Sequence, residues 1–211
     1  MIGFDLGTEP SWQACKLCGT ETMRETCFSC CQKADRESES RDEAAIAGIP
    51  ARFSWATVDA AALAHRVQST KSVEALVKAI LEAPRVTIGG PTGSGKTSLL
   101  VACLRKVLPH GFMVRAERLA RAPIEHSAGQ GEAPLVLRAK AARVLLLDDL
   151  GTDEITKVSA VRDVVFARYD AGLPTWISTG ISSSEIESLY GSGFARRAVS
   201  EALTIGLGVK G

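Results

Sequence analysis

The sequence predicts an α/β fold, a parallel sheet with helices on both faces, preceded by a small metal-stapled module. Three observations carry that prediction. Apolar runs at 86–89, 112–115, 143–147 and 175–179 lack polar alternation and are separated by helix-like stretches, as in strands buried on both faces. Residues Gly90, Pro91, Thr92, Gly93, Ser94, Gly95, Lys96 and Thr97 spell the complete G-x-x-x-x-G-K-[ST] phosphate-binding loop. That loop sits between the apolar run Val86–Ile88 and a helical stretch beginning near Ser98, the strand–loop–helix context the motif requires. Finally, five of the six cysteines fall between positions 15 and 31.

With 211 residues and 45% hydrophobic content, the chain has room for one full α/β domain and a small appendage. Its net charge of +1 hides an uneven distribution: residues 1–50 hold 5 Lys/Arg against 9 Asp/Glu, and the remainder 20 against 15. Aromatic residues are 5% of the chain, which argues against a base-stacking platform. The N-terminus lacks the basic and apolar regions of a signal peptide, and no run approaches the roughly twenty apolar residues that span a bilayer. A cytoplasmic protein with no membrane partner is expected.

The elements follow in order. Cys15-x-x-Cys18 and Cys27-x-x-Cys30 each offer two thiolates from one turn, the spacing of a tetrahedral four-cysteine zinc site in a reducing compartment. A redox dithiol pair and loose thiols are the competing readings, and Cys31 competes with Cys30 for the fourth ligand position. A zinc-ribbon-like segment 1–33 with almost no core would draw most of its folding energy from the metal. Residues 34–47 are charged and helix-permissive, a solvated linker closed by Gly48-Ile49-Pro50, and the main domain is expected over 48–211. A helix over Ser72–Ala83 puts Val73, Leu76, Val77, Ile80 and Leu81 on one face, and Pro84 ends it before a strand at Val86–Gly89. A helix from Lys96 to about Leu108 and a strand at Phe112–Arg115 come next. Helical material broken by a polar loop at 126–132 follows, then an apolar strand from Arg143 to Asp149. A helix over Val158–Ala171, a strand at Thr175–Thr179, helices near Ser183–Tyr190 and Gly193–Val199, and a short strand at Leu203–Leu207 complete the alternation. Cys103, within a helix, reads as a small buried hydrophobe.

The chemistry concentrates at strand ends. Glycines in the loop let backbone N–H groups turn inward around phosphate oxygens, Lys96 adds a full charge, and the Thr97 hydroxyl is suited to Mg²⁺. Gly90 through Ser98 are therefore expected to bind a nucleoside triphosphate. Val144–Asp149 has the form of a Walker B strand, with Asp148 a candidate for Mg²⁺ and Asp149 for polarising the water that attacks the γ-phosphate. Thr179, with Ser178 as the alternative, is a candidate γ-phosphate sensor at the end of its strand. Arg196 and Arg197, after a flexible glycine pair, are either an arginine finger for a neighbouring subunit or surface arginines. The expected catalytic set is Lys96, Asp149, Thr179, Arg196 and Arg197. Phe53 and Trp55 flank an adenine or pack at the domain edge. Arg115, Arg118 and Arg121, and separately Arg138, Lys140 and Arg143, face DNA phosphates or simply water. His65, His110 and His126 have no ligand-like spacing.

Several segments together resemble the DnaC/IstB-like AAA+ ATPases, the helicase-loader and transposition-helper group. They are Gly48-Ile-Pro-Ala-Arg-Phe53, the P-loop, Leu147-Asp-Asp-Leu-Gly151, and Ala167-Arg-Tyr-Asp-Ala-Gly-Leu-Pro-Thr175 running into Ile-Ser-Thr-Gly. Tyr190-Gly-Ser-Gly-Phe-Ala-Arg-Arg197 looks like that family's final basic element, and the cysteine module is similar to that of DnaI-type loaders, where it contributes to helicase contact. The resemblance implies an ASCE-type AAA+ sheet and slow, assembly-dependent ATP hydrolysis with ATP, Mg²⁺ and Zn²⁺ as cofactors. It also implies a replicative helicase as partner, single-stranded DNA as a further ligand, and a homo-oligomer or assembly on a hexameric partner. A transposase partner and an ATP-gated adaptor with negligible hydrolysis are the alternatives. The chain departs from the pattern in three ways. Asp148-Asp149 stands where many AAA+ proteins have Asp-Glu, Thr179-Gly180 where relatives often have Ser-Asn, and the thirty or so residues after Thr179 leave no room for a helical lid.

Overall fold

The structure, a computed structural model, describes residues 13–22, 25–126, 129–152 and 159–208. The expectations about the N-terminal leader, the centre of the polar loop at 126–132 and the first residue of the helix at 158 lie outside these residues. Chain contacts divide the protein into two compact units, Met1–Asp42 and Glu43–Gly211.

In the smaller unit a short antiparallel ribbon pairs β1 (Gln13–Ala14) with β2 (Glu21–Thr22). Helix α1 (Phe28–Ile46) starts earlier than the charged linker expected at 34–47, because the Cys31 amide already donates to the Cys27 carbonyl at 3.0 Å. Cys30 and Cys31 therefore lie in the first turn of a helix, and the division between units falls within it.

The larger unit contains α2 (Ala61–Arg66), α3 (Val73–Glu82), β3 (Arg85–Gly89), α4 (Lys96–Arg105), β4 (Gly111–Arg115) and α5 (Ala116–Glu125). It continues with α6 (Pro134–Ala141), β5 (Val144–Leu150), α7 (Ser159–Asp170) and β6 (Thr175–Thr179). Last come α8 (Ser183–Tyr190), α9 (Ser192–Ala195) running into a π turn at Arg196–Ser200, and β7 (Leu203–Gly206). The Ser72 hydroxyl caps α3 by accepting the Ala75 amide, and Ser182 and Glu185 form a reciprocal capping box on α8, so both helices start where their sequence tells them to.

The five described strands of the larger unit are parallel in the order β4-β5-β6-β3-β7. β6 thus separates the strand before the P-loop from the strand that carries Asp148 and Asp149. Successive residues on each strand feed opposite cores. Val86, Ile88, Met113, Leu146, Trp176 and Ile205 pack with α3 and α4 on one face. Phe112, Val114, Leu145, Leu147 and Ile177 pack with α5 to α9 on the other. Burial on both faces explains why these strands read as unbroken apolar runs.

Among the described residues, one cationic side chain is wholly inside. Arg168, 0% exposed, sits on α7 at the edge where β5 and β6 enter the sheet. Its guanidinium donates to the carbonyls of Ala139, Lys140, Ala142 and Pro174 and to the Thr175 hydroxyl. Burial pulls its pKa down to about 10, and the five acceptors take the place of a counter-ion.

Candidate functional site

β3 delivers the chain to the P-loop, whose Gly90, Gly93 and Gly95 all have positive φ. Two of these glycines also have no room for a side chain. A Cβ at Gly90 would lie 2.3 Å from the Leu207 carbonyl oxygen, and one at Gly95 would lie 2.6 Å from that of Arg66. Neighbouring backbone braces the loop as well: Leu207 N–H donates to Gly89, Gly208 N–H to Gln68, and Gln68 N–H to Ser94. Lys96 opens α4 and folds back across the loop, its Nζ donating to the carbonyls of Gly90 at 2.7 Å and Pro91 at 2.8 Å. Burial lowers its pKa, against the opposing pull of Asp149 and Asp148.

The strand register between β5 and β6 shifts between Leu147 and Leu150, placing Asp148 and Asp149 in a bulge opposite Ser178. Asp148 is fully buried, and its Oδ1 accepts from Thr97 Oγ1 at 2.7 Å and from Ser178 Oγ at 2.6 Å. Its Oδ2 is buried with no protein partner. Burial raises the Asp148 pKa, although the two hydroxyls oppose the shift. A carboxylate oxygen left bare beside a threonine hydroxyl fits a hydrated Mg²⁺. Asp149, at φ 55, donates its amide to Ser178 Oγ at 2.9 Å, and its Oδ2 lies 2.8 Å from Arg115 NH2.

The site therefore brings together the P-loop, Lys96, Thr97, Asp148, Asp149 and the alternative sensor Ser178, and adds Arg115. Ser178, rather than Thr179, contacts the acidic pair. The Thr179 hydroxyl instead donates to the Leu150 carbonyl at 2.9 Å and accepts from Ile181 N–H, away from Asp148. Arg115, grouped by sequence with surface arginines, holds Asp149. Its position beside Asp148 in the β4–β5 register was the available signal, but it needs the sheet order to be read.

Arg196 and Arg197 lie elsewhere. Arg85, at the entry end of β3, donates to the Glu201 carbonyl, and Arg196 pairs with the Glu201 carboxylate at 2.8 Å. Arg197 stacks over Phe166 at 4.4 Å and Tyr169 at 4.9 Å and donates to the Gly193 carbonyl. Both arginines gather near the strand entry end, whereas the P-loop follows the exit end, and a five-residue strand spans about 16 Å. Of the other basic groups, Arg138 stacks on Phe112 and Lys140 pairs with Glu132.

In the smaller unit the sulfurs of Cys15, Cys18, Cys27 and Cys30 all lie within 4.8 Å of one another. Cys18 and Cys27 are 3.6 Å apart, close to the roughly 3.8 Å edge of a tetrahedral zinc–thiolate site. Hydrogen bonds from the Cys27 and Leu17 amides pull Cys15 down to about 6, while sharing with Cys18 and Cys27 pushes Cys30 up to about 12. Four sulfurs at these separations fit one tetrahedral metal ion bound by thiolates. Cys31 instead faces Thr26, at 3.0 Å from its hydroxyl, so the fourth position belongs to Cys30.

A cavity of about 220 Å³ opens over the P-loop, and its lining includes Phe53, Arg66, Lys96, Thr97 and Asp149. Trp55 is not among its lining residues; its ring lies under the Arg66 guanidinium at 4.5 Å.

No protein-family model matches the chain, and no curated protein matches its sequence. Its structure does have counterparts. It is similar to the DnaC helicase loader with a TM-score of 0.61 and 20% identity, covering 75% of this chain and 100% of the loader chain. Likeness to DnaI has a TM-score of 0.52 and 19% identity over 64% of this chain and 83% of DnaI. A replication initiator, DnaA bound to AMPPCP and single-stranded DNA, aligns with a TM-score of 0.53 and 17% identity over 65% of this chain; less than half of that protein, 44%, is covered. At these identities the likeness is one of fold.

Proposed function

We propose that the chain is an AAA+ protein, an ATP-binding and ATP-hydrolysing replication factor of the helicase-loader kind. The observation that carries the proposal is the Thr97–Asp148–Ser178 hydrogen-bonded group beside Lys96, with one Asp148 oxygen left bare. Loop amides and Lys96 take the β- and γ-phosphates once Lys96 exchanges its two carbonyl partners for phosphate oxygens. Thr97 and Asp148 hold Mg²⁺, which neutralises charge on the phosphate chain. Asp149 orients the attacking water, and Ser178 couples the two acids. Arg196, exposed and held by one ion pair, serves the nucleotide of a second copy from the far end of the sheet. The four-cysteine module holds zinc and contacts a replicative helicase, with single-stranded DNA as a further ligand; the likeness to DnaC, DnaI and DNA-bound DnaA supports this part.

Phosphate release measured with and without a replicative helicase and single-stranded DNA tests the reading. Lys96→Ala is expected to abolish nucleotide binding, Asp149→Asn to spare binding and stop turnover, and Arg196→Ala to slow only the concentration-dependent part of the rate. A Lys96→Ala chain that still binds ATP normally removes the basis of the proposal. The Arg115–Asp149 contact favours a second reading, an ATP-gated adaptor whose hydrolysis stays negligible. Turnover that remains at background with every partner present would select it.

A further inference from the structure

Phosphate and metal groups account for one side of the cavity over the P-loop, but two of its lining residues have no part in that chemistry. Phe53 follows the Pro50 turn, packs partly against the core, and carries the Arg52 guanidinium over its ring at 5.0 Å. Its carbonyl accepts from Arg105 at 3.4 Å, which ties it to α4. Arg66 ends α2 with its carbonyl against Gly95, the next residues run along Ser94 and Gly95, and Arg66 itself lines the cavity over the phosphate loop. Its guanidinium carbon lies over the Trp55 ring, 4.5 Å from the centroid.

We infer that Phe53 and Arg66 form a stacking clamp for a purine ring, which reads the face of the base rather than its edge, so that the site accepts GTP about as well as ATP. The inference rests on the P-loop being a nucleotide site. With the triphosphate on Lys96 and Thr97 and its γ end toward Asp149, the nucleoside end points to Phe53 and Arg66. A guanidinium already paired with one aromatic face presents its other face to a second ring, and an aromatic ring adds a further π surface. Stacking tolerates any base because every base has a π face, and it favours the larger purine over a pyrimidine. Trp55 is then a positioning residue, which keeps the Arg66 plane in place.

The test is displacement of ATP carrying a ribose-linked fluorophore from the full chain by ATP, GTP and CTP in the presence of Mg²⁺. GTP is expected within tenfold of ATP, and CTP at least tenfold weaker. Arg66→Ala and Phe53→Leu, the latter keeping an apolar residue against the core, should each weaken ATP and GTP alike by about tenfold, the scale of one lost stacked contact. Arg66→Lys should not restore binding, because an ammonium has no plane to stack. GTP more than tenfold weaker than ATP, CTP equal to ATP, or unchanged binding in both variants overturns the clamp alone, provided that Lys96→Ala abolishes binding. If the native chain binds no nucleotide, or Lys96→Ala binds normally, the nucleotide reading itself falls.

Discussion

Two aspartates next to each other do opposite work because their backbones differ. Asp148 faces inward, where burial favours its neutral form. A carboxyl whose pKa is raised in the folded state adds stability in acid, below its unfolded value near 4, and loses it as pH climbs through the folded value. Asp148→Asn should therefore melt higher than the native chain at pH 7 without nucleotide, with the gap closing toward pH 4; a lower melting temperature at pH 7 contradicts the burial argument. Asp149 sits at φ 55, in a region that aspartate tolerates far better than residues with longer side chains. This gives a physical reason for aspartate rather than glutamate at position 149. Its carboxylate is also committed to Arg115. Arg115→Ala should free it and raise basal ATP turnover several-fold without any partner, and a rate at or below that of the native chain would rule out a restraining role. The sequence named Thr179 for the sensor with Ser178 as the alternative; neighbouring hydroxyls on one strand differ in direction, and the bulge in β5 brings Ser178 to the acids.

At the scale of elements, Arg168 ties the C-terminal end of α6 to the entry of β6, with five hydrogen bonds from one side chain. Arg168→Ala strands several buried carbonyls, and urea unfolding should show a loss of about 3–5 kcal/mol. A loss below about 1 kcal/mol would mean that water takes over those carbonyls. The sequence announced the elements better than their ends. Unbroken apolar runs marked β3, β4, β5 and β6, and Pro84 marked the end of α3 through local chemistry. α2 escaped notice because Ala61–Arg66 is short and buries only Leu63. The early start of α1 escaped because its first turn looked like part of a cysteine knuckle. The P-loop and the aspartates were legible because their chemistry is contiguous in sequence. Arg66 and Arg115 were not, since each meets the site across a sheet or loop contact that no spacing encodes.

At the scale of the molecule, no described helix is long and apolar enough to cross a membrane, and the chain comprises two units with separate chemistries. Their separation gives a clean prediction for the smaller one. Cys30→Ser should lose the bound metal measured by elemental analysis of the purified chain, whereas Cys31→Ser should retain one metal per chain. The reverse result would exchange the two assignments. In the larger unit, the strand at one edge of the sheet has a use beyond stability. The amides of Leu207 and Gly208 end on Gly89 and Gln68, which frame the phosphate loop, yet neither residue lines the cavity. Their proton resonances form a built-in gauge. A ligand that reshapes the loop must shift both signals without touching either residue, so occupancy can be followed on the unlabelled nucleotide from the protein's own edge.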